Sequence, residues 1–157
     1  MPTLCKSSTS DKVRDAETFY EKGLEMVRAG RWSKAIGYFD EAIARKNRYV
    51  EAMYQKGRCL MKTGQHDAAI GCYDQAITIT PFSFEAYFRK GMCNVYLGRI
   101  DRAIDCFEMA IDISPRNADA WENKAVCCKL IGRHDTAIRC LEQAQEIRDN
   151  FGKKASV

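Results

Sequence analysis

Small and apolar residues recur at steps of three and four along residues 100–113. Ile100, Ala103, Ile104, Phe107, Ala110 and Ile111 share one side of a helix, with acids and Arg102 on the other. Just before it, Tyr87, Lys90, Gly91, Asn94 and Leu97 trace a second, weaker helical stripe through residues 84–97. Gly98 separates the two stripes and suits the left-handed position that ends a helix. Asp101 stands where an acid can cap the next helix or favour its positive end. Pro115 closes the second stripe. The pattern predicts helix, tight turn, helix.

The same skeleton returns when residues 84–115 are slid by 34 in either direction. Gly23, Gly57 and Gly91 align, with Ala125 in the fourth place; Gly30, Gly64, Gly98 and Gly132 make a second line. Ala35, Ala69, Ala103 and Ala137 make a third, and Ala42, Ala76, Ala110 and Ala144 a fourth. Phe39, Tyr73 and Phe107 also align, with Leu141 replacing the ring in the last copy. A fixed period of this length marks an array of repeats, each too small to bury its own apolar face and therefore stacked on its neighbours.

The repeat resembles the tetratricopeptide repeat. In the third copy the family's signature stands as Tyr87, Gly91, Gly98, Ala103, Phe107, Ala110 and Pro115. The fourth copy carries Trp121 at the tryptophan place but Ala125 for glycine and Asp149 for proline; the first has Phe19 and Asn47 at those two places. The resemblance covers roughly residues 16–150 and implies an all-α, right-handed α-solenoid of four helix-turn-helix units. The units expected are about 16–49, 50–83, 84–117 and 118–150, in one domain over 11–150. A disordered tail over 1–10 and a short basic tail over 151–157 would flank it.

Composition adds exclusions. Lys and Arg outnumber Asp and Glu by 25 to 21, spread along the chain, which is no nucleic-acid footprint. No apolar run reaches membrane-spanning length, and the start MPTLCKSSTS lacks the apolar core of a secretory signal. Both observations point to a cytoplasmic protein. Of eight cysteines, Cys59, Cys93 and Cys127 recur with the period, as do Cys72, Cys106 and Cys140. No C-x-x-C pair occurs, so they are expected to be core filler in a reducing compartment rather than metal ligands. His66 and His134 occupy equivalent turns, with no ligand partner at metal spacing. No nucleophile elbow, phosphate loop or dinucleotide fingerprint appears. No catalytic residue, metal or cofactor is expected.

What remains is surface. In tetratricopeptide folds the first helices of successive repeats line a concave groove that takes partners. Carried over, the groove would present Tyr20, Tyr54, Arg58, Phe88, Arg89 and Met92, with Tyr20, Tyr54 and Phe88 as an aromatic row. Glu17, Glu51, Glu85 and Asp119 would form an acidic row beside it. Such a wall suits a peptide with apolar anchors; alternatively the aromatics pack between neighbouring helices and the acids only favour helix starts. The clamp by which chaperone-binding members hold a terminal carboxylate is missing. Its places hold Tyr20, Leu24, Gln55, Glu85 and Arg89, of which Arg89 alone matches, or in the next register Tyr54, Arg58, Arg89, Asp119 and Asn123. The expected function is a non-catalytic adaptor or scaffold binding a protein or peptide. The alternative is self-association through the end repeats, since Gln145 replaces the isoleucine of inner copies while Ile138, Leu141 and Ile147 remain.

Overall fold

A computed structural model describes the backbone of residues 9–154 and the side chains of residues 13–150. Eight helices follow one another: α1 (Thr9–Arg28), α2 (Trp32–Arg45), α3 (Val50–Lys62), α4 (His66–Ile79), α5 (Phe84–Tyr96), α6 (Ile100–Ile113), α7 (Ala118–Leu130) and α8 (His134–Lys154). The fold is an all-α solenoid of helix-turn-helix units. Most of the two expected tails, residues 1–8 and 155–157, lies outside the described residues; α1 includes Thr9 and Ser10, and α8 continues to Lys154.

Each first helix ends in the same way. In α5 the Gly98 N–H donates to Val95 O at 3.0 Å and the Arg99 N–H to Asn94 O at 2.9 Å, the paired bonds of a Schellman turn. Gly98 takes φ 69° there, and its three counterparts lie between 68° and 77°, where a Cβ would be strained. Arg99 is also the N-cap of α6, so three residues suffice to reverse the chain. Its side chain makes no capping bond, and Asp101 sits inside the first turn, favouring the positive end instead of capping it. True side-chain caps occur at the other joints. Ser83 Oγ accepts from the Ala86 N–H at 3.3 Å, and Asn117 Oδ1 from the Ala120 N–H at 3.2 Å.

The chain divides after Ile79 into two compact units. In the first, α1–α4, Ala16, Ala35, Phe39, Ala42, Tyr49, Ala52 and Cys59 form the core, backed by Leu24, Trp32 and Ile36. In the second, α5–α8, the core gathers Ala103, Ile104, Phe107, Ala125, Cys127, Cys128, Ala137 and Cys140. The repeated Gly–aromatic pairs are explained directly. A Cβ on Gly23, Gly57 or Gly91 would stand 2.5, 2.7 or 2.7 Å from the ring of Phe39, Tyr73 or Phe107. First and second helix approach so closely that the ring fills the space a side chain would need.

The cysteines Cys59, Cys72, Cys93, Cys106, Cys127, Cys128 and Cys140 are free and buried, as core filler should be. Burial pushes the Cys59 and Cys127 thiols up to about 11, leaving them protonated and unreactive at neutral pH.

Candidate functional site

In the first unit, α1 and α3 contribute Tyr20, Tyr54 and Arg58. Tyr20 is half-buried; its ring meets Phe39 at 5.8 Å and Tyr49 at 5.1 Å between centroids. Its hydroxyl is hydrogen-bonded to Gln55, and the Gln55 Oε1 accepts from Arg58 Nη1 at 3.1 Å. A polar relay from Tyr20 through Gln55 to the exposed Arg58 therefore ties α1 to α3. Glu51 and Glu21 stand close enough to Tyr20 to disfavour its phenolate, adding to burial, which is the larger cause of its raised pKa. Tyr49, buried beneath Tyr20 at the N-cap of α3, is pushed up to about 12, chiefly by burial. Tyr54 packs against Tyr73 at 6.2 Å.

In the second unit, α5 contributes Phe88, Arg89 and Met92. Phe88 stacks on Phe84 at 5.4 Å and tilts against Phe107 at 5.7 Å. Arg89 is paired with Glu85 one turn earlier, so that member of the acidic row is engaged within its own helix. Met92 is half-buried against the core. On α7, Asp119 and Glu122 are held by Arg148 of α8. The guanidinium meets Glu122 bidentately at 2.5 and 2.9 Å and reaches Asp119 at 3.5 Å.

Each aromatic of the row thus has one side against the second helix of its own pair and the other toward solvent. Packing between helices and a role on the first-helix face are not exclusive for these rings. Three features escaped the sequence reading. Tyr49 and Phe84 complete the aromatic pairs, but they stand at helix starts, outside the helical stripes. Lysines at one place in the period bridge back to the preceding helix: Lys56 to Asp40 at 2.6 Å and Lys124 to Glu108 at 2.9 Å. Burial depresses Lys56, and the Asp40 hydrogen bond more than offsets it, leaving the pKa raised. The line Lys22, Lys56, Lys90 and Lys124 was visible at intervals of 34, with an acid 16 residues before each of the last three.

Among the described residues no group of His, Cys, Asp and Glu could hold a metal ion, and no helix is long and apolar enough to cross a membrane.

Paired helices, positive-φ glycine turns and a ring seated on a glycine at each inner joint define a helical-hairpin repeat protein. Tetratricopeptide repeat models match residues 20–84, 84–117 and 106–139, and the chain belongs to the tetratricopeptide repeat family. The family places it among protein–protein interaction modules. No curated protein matches it in sequence. Among solved structures, a crystal structure of MamA aligns with a TM-score of 0.86 at 22% identity, over 92% of this chain and 89% of that one. A second MamA crystal structure gives 0.83 at 24% identity, over 88% and 76%. MamA from Desulfovibrio magneticus RS-1 gives 0.82 at 20% identity, over 90% and 80%. At these identities the likeness is one of fold.

Proposed function

We propose that the chain is a non-catalytic cytoplasmic adaptor or scaffold that binds a peptide segment of a protein partner on its first-helix faces. The observation that carries this reading is the state of the aromatic row. Tyr20, Tyr54 and Phe88 are fixed on one side by core rings yet remain half-exposed. Side chains fixed in this way lose little conformational entropy on binding, which is what an anchor site needs. Arg58, oriented by Gln55, would pair an acidic group on the ligand, and Phe88 with Met92 would take an apolar one. The Glu17, Glu21 and Glu51 carboxylates around Tyr20 and Tyr49 would repel a terminal carboxylate, consistent with the missing clamp.

The test compares wild type with a Tyr54→Ala, Phe88→Ala double variant as baits in lysate, after circular dichroism shows both folded. The captured protein is then mapped to a peptide and titrated against each bait. Loss of the peptide with the double variant supports the reading; equal retention moves the site off these faces. Self-association through the end repeats is the second reading, favoured by the exposed Ile138 and Leu141. A chain that sediments as a monomer at high concentration removes it.

A further inference from the structure

The interfaces between repeats show what covers a second helix. On α6, Ile104 is 4% exposed and Phe107 0%, because they lie in one core with Ala125, Cys127 and Cys128 of α7. The joint is locked by Lys124 on Glu108. On α2, Phe39 is covered in a core with Ala52 and Cys59 of α3, locked by Lys56 on Asp40. Both covering helices carry the same code: Ala52, Lys56, Cys59 in α3 and Ala120, Lys124, Cys127 in α7. A small residue lets the backbones close, a lysine four positions later finds the acid, and a second small residue three positions beyond completes the fit.

On α8 the corresponding places hold Ile138, Leu141 and Glu142. Ile138 is 54% exposed and Leu141 50%, and Glu142 is exposed beside them. We propose that this face of α8 is a docking site for one amphipathic helix of a partner protein. That helix carries a small residue, a lysine four positions on and a second small residue three beyond, the lysine pairing with Glu142.

The chain's own free end does not meet that description. At the coding places α1 has Thr18, Lys22 and Glu25, so its lysine fits but a hydroxyl and a carboxylate would be pressed against Ile138 and Leu141. Burying those groups against apolar side chains is costly. Phe19, on the same helix, is already covered by the Arg45 guanidinium at 4.1 Å. Nor does α8 complement a second α8, since two such faces bring apolar residues and Glu142 together without the lysine code. A partner helix with the code supplies both the apolar cover and the opposite charge, by continuing an interface that the fold already uses twice.

The probe is a fluorescein-labelled, side-chain-stapled peptide of residues 117–131, which bears Ala120, Lys124 and Cys127. Anisotropy titration against the full chain in reducing buffer should show saturable binding. Leu141→Glu or Glu142→Lys should weaken it at least about tenfold, roughly 1.4 kcal/mol. A peptide with Lys124→Glu should recover binding to the Glu142→Lys chain, an exchange that loss of folding could not produce. Absence of saturable binding, binding indifferent to Leu141→Glu, or failure of the charge exchange overturns the proposal. Concentration-dependent dimerisation abolished by Leu141→Glu would also overturn it, since the face would then belong to a second copy. The result is independent of Tyr54 and Phe88, so it fails or stands apart from the first-helix reading.

Discussion

Replacing Gly91 by alanine tests the central packing device. In an exposed helix interior this change stabilises by about 1 kcal/mol, because glycine has more backbone freedom to lose. Here the new Cβ would lie 2.7 Å from Phe107 Cε1 and 3.0 Å from Cδ1 and Cζ. Carbon atoms pack at about 3.5 Å or more, so the ring would have to retreat by roughly 0.8 Å. Phe107 has no room to do so, being fully buried and held on its other side by Phe88 at 5.7 Å. Overpacking of this kind costs about 1–3 kcal/mol, so Gly91→Ala should destabilise by roughly 1–2 kcal/mol net of the propensity gain. The fourth copy suggests the compensation, since Ala125 there accompanies Leu141 in place of the ring. Phe107→Leu alone should cost less than the ~3–5 kcal/mol of truncation to alanine. Once the ring is gone, alanine at 91 should be neutral or stabilising. The double-mutant cycle should therefore show a favourable coupling of about 1–2 kcal/mol, read from urea midpoints with unchanged m-values. Stabilisation by Gly91→Ala in the wild-type background, or additivity within about 0.3 kcal/mol, would refute the reasoning.

Gly98→Ala should cost about 1–2 kcal/mol through its φ of 69° alone, with nothing within 4 Å for a Cβ to strike, so no second-site change of a neighbour should rescue it. Cys59, Cys127 and Tyr49 have folded pKa values raised above 9.0, 9.0 and 10.0, to about 11, 11 and 12. Their contribution is fully present below the unfolded values and lost as pH rises through the folded ones, so the melting temperature should fall between pH 9 and 12. A Cys59→Ala, Cys127→Ala variant should show a shallower decline. Lys56→Met should change stability by no more than about 1 kcal/mol in denaturant melts, because its bridge to Asp40 is partly solvated; a larger loss would mean that the lysine ladder does more than align repeats.

The fold was legible because buried positions repeat. Gly57, Ala69, Tyr73 and Ala76 each answer a fixed steric demand, and the next copy shows the same answer. Helix joints were half legible. The turn glycines announced themselves through their place, whereas Ser83 and Asn117 as N-caps share a line with Tyr49, which hid the capping role. The lysine ladder was passed over because a lysine on a helix reads as a solvated face until its acid is brought over by packing. The first-helix residues were legible only as residue types. That Tyr20 reaches Gln55 and that Arg148 engages Asp119 and Glu122 depend on contacts between helices, which no single stripe encodes.

The period also serves as an internal control, and departures from it carry the most information. Where inner copies have Ala52, Ala86 and Ala120, the first has Thr18; where they have Cys59, Cys93 and Cys127, it has Glu25. These substitutions suit water and would be penalised by a neighbour. On α8 the logic is reversed: Ile138 keeps the apolar identity of Ile36, Ile70 and Ile104 although it is half-exposed. A polar residue would suit water there, as Gln145 does in place of Ile111. One end of the array is thus built to face solvent, while the other retains the surface of an interior joint. Stability in such arrays is roughly a sum of repeat terms and neighbour terms. A face that keeps interior chemistry leaves one neighbour term unfilled, and a helix supplying the matching small residues and lysine would stabilise the last repeat as it binds.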